Sequence, residues 1–213
     1  IDDNTLVIFT SDNGSRLQNQ GGSNGDLRGG KGQTWDGGQR VPCIIRWPGK
    51  INEGEETDAL ATTMDFLPSI TNLIGGELPS KKIDGIDMSE LFFSNNNSSK
   101  RESFLYYNED ELEAIRYKNW KLHFKKEGKL INELYDLEND IGEEVNLYNE
   151  NKEIVTELSS LADDNRKSLG DKFLDIKGEE VRPASRIANP KPLTEFDENH
   201  PYMYAEYDKG ERG

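Results

Sequence analysis

Leu6-Val7-Ile8-Phe9 sets four apolar residues in a row, and Val41-Pro42-Cys43-Ile44-Ile45 does much the same further along. Such runs, without alternation, read as strands buried on both faces, of the kind found inside parallel sheets. They predict strands over Leu6–Thr10 and Val41–Trp47, the first ended by Ser11-Asp12-Asn13-Gly14 and the second by Pro48-Gly49. Between them, Ser15 to Gly38 is glycine-rich and has almost no apolar periodicity. A loop of that length is functional or disordered, and Thr34-Trp35 argue for order. From Asp58 to Gly75 the pattern becomes helical, with Ala61, Met64, Leu67, Ile70, Leu73 and Ile74 at three-to-four spacing and Gly75-Gly76 as the stop.

The polar run Ser94-Asn95-Asn96-Asn97-Ser98-Ser99 reads as a hinge, and a boundary is expected there. It holds two glycosylation sequons, at Asn96 and Asn97, usable only on a eukaryotic secretory route. Beyond it short strands are predicted at Ser103–Tyr107, Ala114–Tyr117, Trp120–Phe124 and Glu133–Leu137, with Lys118-Asn119-Trp120 marking a tight hairpin. Lys152 to Ser168 is an amphipathic helix with Ile154, Val155, Leu158, Leu161 and Ala162 on its inner face. The expected organisation is thus residues 1–100 as part of an α/β domain, 101–175 as an antiparallel sheet with a helix, and 176–213 as an extended surface tail.

Charge narrows the choice of partners. The chain carries 41 acidic and 26 basic residues, a net −15, which repels polyanions and disfavours nonspecific binding of nucleic acid or anionic membranes. Arg16, Arg28, Lys31, Arg40, Arg46 and Lys50 nevertheless form a basic island interrupted only by Asp26 and Asp36. It could receive a small anionic group or simply be solvated surface. No apolar stretch approaches the roughly 18 residues of a membrane span. The lone Cys43 excludes an internal disulfide, and its apolar setting predicts a buried thiol.

Three places could carry chemistry. Asp12 and Asn13 follow a strand end, where ligands collect in open sheets, and offer hard oxygens suited to calcium or magnesium. The same tripeptide with Gly14 also makes an ordinary turn. Leu27-Arg28-Gly29-Gly30-Lys31-Gly32 sets glycines around a lysine, as a loop that lets backbone approach an anion would, yet it lacks Walker A spacing. His123 lies among alternating strand residues, where a structural role is the expectation; His200 has no identifiable partner.

Taken in order, "TLVIFTSDNG", "LRGGKGQTWDGGQRVPCIIRWPG", "WKLHF" and "ELYDLENDIGEEVNL" resemble the carboxyl-terminal part of a type I, formylglycine-dependent sulfatase of the alkaline-phosphatase-like superfamily. The similarity runs from Thr5 to about Gly170, with a weaker match at "VRPASR". The resemblance implies an α/β fold: the carboxyl-terminal part of an alkaline-phosphatase-like mixed sheet sandwich, plus a small antiparallel sheet packed with a helix. It implies that Asp12 and Asn13 are metal ligands for Ca2+ (or Mg2+) and that Lys31 contacts the sulfate group. Arg28 and Arg40 are neighbouring candidates for substrate binding without a matched role. Cys43, followed by Ile44-Ile45-Arg46, does not fit Cys-x-Pro/Ala-x-Arg, so no nucleophile is expected in this chain and the formylglycine is expected upstream. The implied partners are a sulfated carbohydrate or aryl sulfate and an amino-terminal portion of the same enzyme. The implied setting is a secreted, periplasmic or lysosomal-type compartment. A noncatalytic binding fragment and a phosphate or phosphonate ester hydrolase of the same superfamily remain the alternatives.

Overall fold

The computed structural model describes residues 2–16, 22–93, 98–183 and 186–189. The chain divides into a compact unit from Ile1 to Val181 and a second from Arg182 to Gly213. The sequons at Asn96 and Asn97 lie outside the described residues, as does His200.

The first sheet pairs β1 (Val7–Thr10) with β2 (Cys43–Arg46), Val7 opposite Arg46 and Thr10 opposite Cys43. The pairing is antiparallel, not parallel, and the expected two-sided burial is absent. Val7 is 45% exposed, Phe9 66% and Ile44 61%. Cys43 is exposed rather than buried. The two faces differ: Phe9 and Ile44, paired on one face, are exposed, whereas Ile8 and Ile45, paired on the other, are half-buried, so only one face has cover although the composition suits a sheet covered on both.

The predicted 58–75 helix is shorter. Its α-helical part, α2, spans Phe66–Leu73 and follows a 3-10 turn at Thr63–Asp65, lying in the chain between the short helices α1 (Asp36–Gln39) and α3 (Ser89–Phe93). A capping box sets the start: Thr62 N and Oγ1 donate to Asp65 Oδ2 at 2.8 and 2.9 Å. Residues 58–62 are consequently outside the helix. Asp65, fully buried, also accepts from Arg101 Nε and Nη2 at 3.1 and 2.5 Å and from Ile86 N at 2.8 Å. Burial pushes its carboxyl up, but these donors outweigh that and hold it below the usual range. One carboxylate therefore ties α2, the 84–86 segment and the chain leading into the second sheet.

The second sheet is an antiparallel meander of β3 (Ser103–Asn108), β4 (Glu111–Tyr117), β5 (Trp120–Lys126) and β6 (Lys129–Asp136). Lys118-Asn119 makes the expected two-residue hairpin, with Tyr117 paired to Trp120 and φ +55° at Lys118. Glu127-Gly128, with φ +50° and +74°, makes another between β5 and β6.

One face of this sheet is apolar. Helix α4 (Lys152–Leu169) lays Val155, Leu158 and Ala162 onto Leu112, Ile115, Leu122 and Leu134. At about 2 kcal/mol per fully buried large aliphatic side chain, this is the main cohesive contact of the region. Glu153 in the first turn and Arg166-Lys167 in the last complement the helix dipole, and Gly170, at φ +85°, ends the helix. The opposite face carries Glu113, Lys121, His123 and Tyr135, and on it sits the glycine-rich loop.

Candidate functional site

The loop is held by backbone meeting backbone. Gly14 N donates to Gly38 O at 3.0 Å, Gly37 N to Arg28 O at 2.7 Å, and Lys31 N to Ser15 O at 3.1 Å. A Cβ on Gly14 would lie 1.7 Å from Gly37 O. Glycine at 14, 37 and 38 thus serves close approach of chain segments at these crossings, whereas Gly32, beside Lys31, faces open space. Short α1 (Asp36–Gln39) sits at the centre of the crossings. Asp12 and Asn13 stand immediately before one crossing and Lys31 lies on another strand of the same knot.

Asp12, Asn13, Lys31 and Arg40 all line one broad open concavity, together with Ser15 and Gln39. Asp12 and Lys31 are exposed, and neither side chain has a hydrogen-bond or ion-pair partner among the described residues. Asn13 spends its amide N–H on Gly14 O at 3.3 Å, which leaves its side-chain oxygen as an available acceptor. Two hard oxygen donors at consecutive positions suit a calcium or magnesium ion, which needs further ligands besides them. No group of three or more His, Cys, Asp or Glu able to hold a metal occurs among the described residues. Arg40 contacts Asp58 Oδ1 at 3.5 Å.

Arg28 points elsewhere. Its guanidinium lies 3.6 Å from the Trp35 ring centroid and donates to Tyr135 OH at 3.0 Å and Glu143 O at 2.8 Å. It does not line the concavity. Its observed work is to fasten the loop to β6 and the turn beyond.

That fastening continues below it as a buried polar layer. Lys121 Nζ, fully buried, reaches Asp36 Oδ1 at 2.7 Å and Glu143 Oε1 at 2.9 Å. The other Glu143 oxygen accepts from Asp36 N at 2.8 Å, and Tyr106 OH lies 3.3 Å from Asp36 Oδ1. Nearby, Thr34 Oγ1 and Lys126 Nζ donate to Glu113 Oε2 at 2.6 and 2.9 Å. Burial pushes the Glu143 carboxyl up, yet His123, Lys121 and the Asp36 N–H together bring it below the usual range. Burial beside Asp36 drives the Tyr106 phenol well above its ordinary value.

His123 is fully buried, 4.1 Å from Trp35 centroid to centroid, with Nε2 3.3 Å from Glu143 Oε1. Desolvation lowers its pKa to about 4 despite that carboxylate, so it is neutral over the physiological range. It is a packing residue, as its strand position suggested. Lys121, Asp36 and Glu143 were not singled out from sequence. Lys121 and His123 alternate with Leu122 in the manner of a solvent-facing strand edge, and that pattern is the same whether water or a polar loop covers the face.

Residues 1–76 match the family profile described as Sulfatase. Mouse steryl-sulfatase is 39% identical over 132 residues, covering 56% of this chain and 21% of that protein. Human arylsulfatase A is 37% identical over 169 residues, covering 67% and 33% respectively. The PsFucS1 sulfatase from a Pseudoalteromonas species superposes with a TM-score of 0.68 at 28% identity, over 76% of this chain and 37% of that one. The chain belongs to the sulfatase family. Its mixed α/β architecture of antiparallel sheets and helices is that of its structural neighbours. The match to the two curated relatives spans between a fifth and a third of their length. No helix among the described residues is long and apolar enough to cross a membrane.

Proposed function

We propose that this chain supplies one edge of a sulfate-ester hydrolysis site, with Lys31 as the sulfate contact and Asp12 and Asn13 as metal ligands. The observation that carries the reading is the shared concavity: a lysine and two hard oxygen donors, none spent on a salt bridge, are among the residues that line it. Family membership supplies the reaction class.

Lys31 brings an ammonium to the concavity without a carboxylate partner among the described residues, so its charge is available to sulfate oxygens. Negative charge on those oxygens and on the leaving oxygen grows as the sulfur–oxygen bond breaks, and a fixed cation there lowers the barrier. Asp12 and Asn13 would hold calcium, or magnesium, through side-chain oxygens. A bound divalent ion would contribute positive charge that orients the sulfate group. The remaining ligands and the formylglycine nucleophile are assigned to residues beyond this sequence, in the amino-terminal portion of the same enzyme. The substrate is then a sulfated carbohydrate or aryl ester, and the setting a secreted, periplasmic or lysosomal-type compartment, as the resemblance implies.

The test is a product assay on the full-length enzyme with matched aryl sulfate and aryl phosphate esters. Release of inorganic sulfate in preference to phosphate supports the proposal. Preferential phosphate release assigns the site to phosphoryl chemistry instead, and hydrolysis of neither ester removes the catalytic reading.

A further inference from the structure

We infer that the buried ion triad Lys121–Asp36–Glu143 is a positioning device for the site edge, an inference that rests on the reading of Asp12, Asn13 and Lys31 given above. Three separate segments meet at one ammonium. Lys121 comes from β5, Asp36 from the first position of α1, and Glu143 from the acidic turn after β6. All three side chains are fully or almost fully buried.

Burying such a cluster is a poor way to gain stability. Desolvation of the charges offsets most of their attraction, and well-packed apolar replacements are often neutral or stabilising. What the cluster does supply is a unique geometry. Glu143 grips the loop twice over, through Lys121 and through the Asp36 backbone N–H at 2.8 Å. The grip is relayed in two short steps. Asp36 begins α1, whose Gly38 O receives the Gly14 N–H at 3.0 Å, and Gly14 directly follows Asn13. Gly37 N is bound to Arg28 O, and Lys31 N to Ser15 O, on the same knot. Glycine at 14, 37 and 38 keeps these segments in backbone contact, so a shift of Asp36 has little slack to absorb it. The oxygen donors of residues 12 and 13 and the ammonium of Lys31 thereby inherit their spacing from the sheet.

Lys121 is accordingly a positioning residue, not a catalytic one. Hydrogen exchange on this chain tests it directly, comparing the native protein with Lys121→Met and Glu143→Gln. The second variant keeps the side chain's shape and serves if the first does not fold. The expected result is exchange at the amides of Gly14, Lys31 and Gly37 accelerated at least tenfold more than at the amides of α4. In the full-length enzyme the same variants should lower kcat for a sulfate ester more than tenfold while Tm moves by only a few degrees. Loop amides that keep their native rates overturn the inference. So does uniform acceleration throughout the chain, which is what a merely structural role produces. If the full-length enzyme hydrolyses no sulfate ester, the proposed function falls, and the exchange pattern alone still decides whether the triad holds the loop.

Discussion

Gly14→Ala should do disproportionate damage for one methyl group. The added Cβ would sit 1.7 Å from Gly37 O and 2.8 Å from Gly37 C, where contacts under 3.0 Å are essentially never tolerated. Both atoms are backbone, so no side chain can swing aside, and the two segments must part by more than an ångström. Parting them removes the 3.0 Å Gly14–Gly38 hydrogen bond, a loss of about 1 kcal/mol. Overpacking adds about 1–3 kcal/mol, giving a destabilisation of roughly 2–4 kcal/mol. Gly32→Ala is the matched control: nothing lies within 4 Å of its Cβ position, and only its φ of +83° opposes alanine. That strain is worth about 1–2 kcal/mol. Urea unfolding of both variants, read as a change in midpoint at constant slope, measures the difference. If Gly14→Ala is no worse than Gly32→Ala, the close-packed knot described here is wrong.

Three further outcomes follow from the buried groups. His123, with its pKa lowered to about 4 from 6.5, stays neutral on folding; the unfolded chain takes up a proton below pH 6.5 while the folded chain does not until near pH 4. Stability should therefore fall across that window by up to about 3 kcal/mol from this residue. His123→Gln, still facing Glu143, Lys121 and Lys126, should flatten that part of a urea-midpoint profile against pH, and an unchanged slope refutes the assignment. Leu158→Ala, at the centre of the α4 contact and fully buried, should cost about 2–5 kcal/mol by the same method; a cost under 1 kcal/mol would mean α4 does not pack as described. Arg101→Ala leaves the buried Asp65 carboxylate without its charged partner and should destabilise by about 3 kcal/mol or more at pH 7, with the deficit shrinking as pH falls and Asp65 protonates.

Sequence pattern captured the antiparallel meander and α4 because both present one apolar face at a regular period. The core positions Val155, Leu158 and Ala162 are among the inner-face residues read from spacing. The first sheet was harder. Leu6-Val7-Ile8-Phe9 has the composition of a strand covered on both sides, and composition cannot say what does the covering; in this chain Phe9 is two-thirds exposed. Helix α2 began later than its periodicity implied because the Thr62–Asp65 capping box, a polar signal, sets the start. At the site, Asp12, Asn13 and Lys31 came from motif resemblance, and all three, with Arg40, are among the residues that line one broad concavity. Arg28, grouped with them by sequence proximity, is turned away onto Trp35. The triad escaped notice because its members lie far apart in sequence, and a lysine on an alternating strand reads as solvent-facing.

The central claim is that this concavity acts on a sulfate ester. The most direct measurement is kcat/KM for an aryl sulfate with the full-length enzyme, native against Lys31→Ala, at matched folded concentration. Removal of a charge-stabilising donor should lower it by about 10²–10³. A Lys31→Ala enzyme within threefold of native would contradict the account.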